Sequence, residues 1–152
     1  MRRGRTEEGE KAFARYDYLQ KFDRQLKGAR QRVSEHPQDP AAHLALARLY
    51  MNEKRLSETI GTLRRLLQLN PNFQQAYYFL GLAYEGLNDY QSAERALARA
   101  IVLDPQHVPS YIAIAGVFQK LGHKEAAVAA FEAATKMRPG QVGTAHGKLI
   151  KE

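Results

Sequence analysis

The sequence predicts an all-α protein, a solenoid of helical hairpins stacked one on the next. Two observations carry this reading. Pro37, Pro71, Pro105 and Pro139 lie 34 residues apart. Between them, apolar residues recur at steps of three and four, the period of one face of an α-helix. Bulk composition agrees: the 152 residues are 44% hydrophobic and 26% charged, the balance of one ordinary globular domain and not of a disordered chain.

The first element is a helix, placed over 11–36. Tyr16, Leu19, Phe22, Leu26, Ala29 and Val33 recur at helical spacing, and Pro37 follows in phase with the later prolines. This helix therefore stands where the second helix of a preceding unit would stand and caps the stack. Residues 1–10, "MRRGRTEEGE", are expected to form a flexible tail ahead of it.

Three tandem units fill 40–139, with boundaries at 40–73, 74–107 and 108–141. In the first half of each unit, matching positions hold His43, Tyr77 and Tyr111, then Leu46, Leu80 and Ile114, then Ala47, Gly81 and Ala115, then Tyr50, Tyr84 and Phe118. The second half repeats Thr59, Ala93 and Ala127, then Leu63, Leu97 and Phe131, then Leu66, Ala100 and Ala134. The breaks "NEKR", "GLNDY" and "LGHK" separate the halves. Connections that short make the two helices antiparallel neighbours. Each proline falls just past a second helix, where helix cannot easily continue. The small column of Ala47, Gly81 and Ala115 lets paired helices approach closely. One such pair cannot bury its apolar face alone, which is why these units come stacked. Residues 142–152 are expected to be a loose tail or a truncated helix, given the glycines of "GQVGTAHG".

The pattern resembles the tetratricopeptide repeat (TPR) family. The middle unit matches best: Tyr77 stands at the usual Trp position, followed by Leu80, Gly81, Tyr84, Ala93, Leu97, Ala100 and Pro105. The outer units depart from it at His43, Ala47, Ala115, Thr59 and Leu66. The resemblance implies a superhelix whose first helices line a concave face. It places Ala41, Leu44, Ala45, Arg48 and Asn52 there, with Gln75, Tyr78, Phe79, Leu82 and Glu85, and with Pro109, Ile112, Ala113, Gly116 and Lys120. From these, Leu44, Arg48, Asn52, Gln75, Tyr78, Phe79, Leu82, Ile112 and Lys120 are taken as the partner-binding groove. Large apolar side chains on an exposed concave face mark an interaction site; packing of Tyr78 and Phe79 between neighbouring first helices is the structural alternative. Family members that clamp the terminal carboxylate of chaperone tails place Lys, Asn, Asn, Lys and Arg in the groove. Here those places hold Leu44, Arg48, Phe79, Pro109 and Ala113, so a carboxylate would be desolvated there without donors.

Little else in the sequence suggests chemistry. The absence of cysteine excludes disulfides, thiolate metal sites and a thiol nucleophile. His36, His43, His107, His123 and His146 include no closely spaced metal pair; His43, in a core column, reads as a packed side chain. None of the serines sits in a nucleophile elbow. Gly143 to Lys148 falls short of a phosphate-binding loop, with three residues between its glycines and Leu149 after the lysine. No enzyme, metal, cofactor or small-molecule substrate is expected. The chain shows no secretory signal and no apolar run of membrane-spanning length, so a soluble cytoplasmic protein is the plain reading.

The expected function is a protein–protein interaction scaffold or adaptor that holds an apolar peptide or helix in the groove. The alternative is a homo-oligomer stacking end to end, with Phe131, Ala134 and Val142 as the exposed end. A basic-surface nucleic-acid or membrane binder ranks lower. The net charge is +7, and residues 1–36 hold ten Lys/Arg, but six Asp/Glu are interspersed among them, diluting any phosphate-binding stripe.

Overall fold

A computed structural model describes residues 2–138, with side chains from residue 7 onward. The described residues form seven helices and no strand: α1 (Arg2–Glu35), α2 (Pro40–Asn52), α3 (Leu56–Leu69), α4 (Gln74–Gly86), α5 (Tyr90–Leu103), α6 (Val108–Leu121) and α7 (Lys124–Met137). Helices α2/α3, α4/α5 and α6/α7 form hairpins, and each packs on the next in chain order. The tail reading of 142–152 lies outside the described residues.

The hairpin turns obey the same ruler as the prolines. Lys54 (φ 56°), Asn88 (φ 60°) and Gly122 (φ 79°) are the left-handed positions of the described backbone, and they stand 34 residues apart. Each reverses the chain between the two helices of its unit. Only Gly122 takes this conformation without a Cβ penalty; Asn88 tolerates it, and Lys54 is strained. Between units, Asn70 and Asp104 act alike: their side-chain oxygens accept from the backbone N–H of Asn72 at 3.2 Å and Gln106 at 3.0 Å. These Asx turns satisfy backbone groups just where the following proline stops the helix. Asp39 and Asp89 cap α2 and α5, accepting from the N–H of Ala41 and Ser92.

The second-helix columns form the core. Thr59, Leu63, Leu66, Ala93, Leu97, Ala100, Ala127, Phe131 and Ala134 are all buried. Burying one leucine this way contributes roughly 1.5–3 kcal/mol. Phe131 and Ala134 lie inside the α6/α7 cluster with Ile114 and Ala115, so they do not form an exposed end as expected; the hairpin of their own unit covers them. His43 is buried, and its Nε2 lies 3.0 Å from the Pro37 carbonyl. Tyr77 repeats the contact one unit on, its hydroxyl donating to the Pro71 carbonyl at 3.1 Å.

A second contact recurs between units. Arg30 donates to the Tyr50 hydroxyl at 3.0 Å, and Arg64 to the Tyr84 hydroxyl at 2.7 Å. At the third junction the same two positions hold Ala98 and Phe118: donor and acceptor disappear together.

Helix α1 departs from expectation at its start. It begins at Arg2, not Lys11, so residues 2–10, read as a flexible tail, continue the helix. No proline interrupts this stretch, and Glu7–Lys11 and Asp17–Lys21 pairs support it at i, i+4 spacing. At 34 residues α1 is about 51 Å long against about 20 Å for α2. Its apolar contacts with Leu46 and Tyr50 come from Phe22, Leu26, Ala29 and Val33, near its C-terminal end. Tyr18 donates to the carboxylate of Glu53 at the far end of α2. Around that point Phe13, Tyr16 and Leu19 of α1 are exposed. Where later second helices bury Thr59 and Leu66, α1 carries Gln25 and Arg32, both exposed.

Candidate functional site

The concave side between α4 and α6 holds a cavity of about 550 Å³. Helix α4 supplies Tyr78, Leu82 and Glu85, at i, i+4 and i+7, which stack along one face. Helix α6 answers with Val108, Pro109, Ile112, Ala113 and Gly116. Pro109 sits in the first turn of α6, where its missing N–H costs no helical hydrogen bond.

Tyr78 forms one wall and is held on two sides. Its ring meets His107 edge-on at 5.0 Å and Phe79 at 5.4 Å. His107 is itself fixed by Ser110, its Nδ1 lying 2.8 Å from the buried Oγ. Burial pushes the Tyr78 phenol pKa up, and the negative charge of Glu85 adds to the rise. Glu85 lines the other end. Burial raises its carboxyl pKa, while the positive charge of Lys120 pulls it back down. No ion pair or side-chain hydrogen bond of the described residues involves Glu85.

The structure gathers some of the expected groove residues and separates others. Tyr78, Leu82 and Ile112 line the cavity together. Phe79 is half-buried and packs toward the α2–α4 cluster, as does Leu44. Arg48 lies over the Phe79 ring, its guanidinium carbon 5.9 Å from the centroid. Arg48, Asn52, Gln75 and Lys120 are exposed and do not line the cavity. Tyr78 packs against the cluster that includes Ile114 and Phe131, and Phe79 against the one that includes Ala47 and Leu80, while Leu82 belongs to none of the core clusters. Glu85 and Gly116, groove-facing by the resemblance but outside the expected binding set, line the cavity as well. The i, i+4, i+7 relation of Tyr78, Leu82 and Glu85 was the available signal. Among the described residues no group of His, Asp or Glu could hold a metal ion, and no helix is long and apolar enough to cross a membrane.

Comparison with known proteins agrees with this fold. Tetratricopeptide repeat family models match residues 25–81, 74–107 and 108–141. The chain belongs to the tetratricopeptide repeat family. Among curated relatives, it is 30% identical over 125 residues to the BBSome complex member BBS4 homolog of Drosophila melanogaster, covering 78% of this chain and 26% of that protein. It is 22% identical over 111 residues to anaphase-promoting complex subunit 3 of Schizosaccharomyces pombe, covering 73% and 17%. The chain thus spans about a quarter or less of the length of these relatives. Among solved structures, MamA superposes with a TM-score of 0.76 at 25% identity, covering 84% of this chain and 74% of that one. A thermophilic TPR protein of Thermus thermophilus gives 0.78 at 18% identity, covering 89% and 76%; at that identity the likeness concerns the fold alone.

Proposed function

We propose that this protein is a non-catalytic protein–protein interaction scaffold, working in the cytoplasm, whose concave face binds an apolar segment of a partner protein. The observation that carries the reading is the cavity between α4 and α6, with Leu82 and Ile112 facing into it and no core cluster claiming Leu82. Apolar surface left open in a concave site is where binding free energy concentrates. The names of the two curated relatives support a scaffold role, since each describes a member of a multiprotein complex. A carboxylate clamp is disfavoured, because Pro109 and Ala113 present no donor to the cavity.

The test is selection of a random dodecapeptide display library on the intact protein and on Leu82→Gln. This variant removes apolar surface without adding charge. Far-ultraviolet circular dichroism first establishes that both remain helical. Enrichment of apolar peptides on the wild type, lost on Leu82→Gln, supports the reading. Peptides that bind both proteins equally, or no enrichment on either, contradict it.

A further inference from the structure

Two residues of the cavity cost the fold stability without an evident return inside it. Glu85 is half-buried in a wall whose other residues, Tyr78, Leu82, Ile112 and Gly116 among them, carry no charge. A carboxylate withdrawn from water is expensive unless a cation or donors compensate. The positive charge of Lys120 acts on it, but the two form no ion pair. Gly116 stands in the middle of α6, where glycine is less favourable than alanine. Packing does not require it: a Cβ built on Gly116 would meet only Glu85 Oε1, at 3.9 Å. The glycine therefore keeps open the space in front of the carboxylate.

We propose that Glu85 is the specificity residue of the groove, receiving a lysine or arginine side chain from a partner segment that lays its apolar residues on Leu82 and Ile112. This rests on the groove reading above. Charge complementarity argues for the occupant: the cavity lining holds one carboxylate, that of Glu85, and no basic side chain, although the chain as a whole is basic. An incoming cation would supply the partner that the carboxylate does not find among the described residues, on a half-buried wall where pairing is stronger than in open solvent. The open volume over Gly116 gives a long basic side chain room to lie along Ile112 with its charged end at Glu85.

The experiment selects the same dodecapeptide library on wild type, Glu85→Gln and Leu82→Gln. The wild type is expected to enrich Lys or Arg at one fixed spacing from the apolar residues; Glu85→Gln should keep the apolar pattern and lose the basic position. A synthetic copy of the top wild-type peptide, with its basic residue changed to norleucine, should then bind wild type about fivefold more weakly by fluorescence anisotropy. Both peptides should bind Glu85→Gln alike. Apolar peptides with no basic preference, or an unchanged preference on Glu85→Gln, overturn this inference and leave the groove reading standing. Binding that survives Leu82→Gln, or no enrichment at all, overturns both. The norleucine comparison on wild type decides the matter even if Glu85→Gln loses its helical signal.

Discussion

Adding one methyl group at Gly81 should destabilise the middle hairpin. A Cβ built there would lie 2.4 Å from Leu97 Cγ, 2.6 Å from Cδ2 and 3.2 Å from Cδ1. The clash falls on the branch point of Leu97, which is fully buried, so rotating a chain end will not relieve it. Overpacking of this kind costs typically about 1–3 kcal/mol. Alanine recovers about 1 kcal/mol through its better helix propensity. The balance is a net loss of about 1 kcal/mol, or roughly a 2–4 °C drop in Tm for a chain of this size. The assay is urea and thermal unfolding followed by circular dichroism. The decisive arm is a double-mutant cycle. Leu97→Ala alone should lose about 2–5 kcal/mol by opening a cavity; in that background Gly81→Ala should become neutral or stabilising, since the clashing atoms are gone. If Gly81→Ala stabilises the wild type, or costs as much in the Leu97→Ala background, close approach is not why glycine stands there.

The strained turn predicts that Lys54→Gly raises stability, by about 0.5–1 kcal/mol, while Gly122→Ala lowers it by about 1 kcal/mol, both read from urea midpoints. The missing junction contact predicts that Ala98→Arg combined with Phe118→Tyr gives a favourable coupling of about 0.5 kcal/mol in a double-mutant cycle. Burial raises the carboxyl pKa of folded Glu85 above its unfolded value. The folded protein thus binds this proton more readily, and the stability it brings is present below the unfolded pKa and lost as pH rises through the folded one. Relative to wild type, Glu85→Gln should therefore raise Tm at pH 7, with the difference fading below about pH 4.3. Gly116→Ala should stabilise by about 0.5–1 kcal/mol, in contrast to Gly81→Ala.

Much of the fold was legible because each unit repeats a physical constraint. The small column at Ala47, Gly81 and Ala115 and the buried column at Leu63, Leu97 and Phe131 follow from stacking one hairpin on another, so spacing alone reveals them. The left-handed positions were harder to see. Asn88 and Gly122 are residues that favour positive φ, but Lys54 carries no such signature and is placed only by the ruler. The start of α1 was not legible because apolar periodicity marks the helix only from about Tyr16, while a local i, i+4 pair supports it further upstream. The exposed end assigned to Phe131 and Ala134 failed for another reason: periodicity says that a face is apolar, not which neighbour covers it. The candidate site was partly legible. Tyr78, Leu82 and Ile112 share a face by spacing, but the division between Phe79, half-buried against the core, and Leu82, lining the cavity, depends on how α4 is rotated against α2 and α6. The meaning of Glu85 depends on the apolar residues around it and on the gap left by Gly116, which come from different helices.

The central claim, that partners bind the concave face, is tested most directly by amide and methyl chemical-shift mapping with a display-selected peptide bound to the isotopically labelled protein. The account predicts the largest changes at Tyr78, Leu82, Glu85, Ile112 and Gly116, on the first helices of adjacent units. Changes centred on the outer residues of α3, α5 and α7, or on the exposed Phe13, Tyr16 and Leu19 of α1, would contradict it.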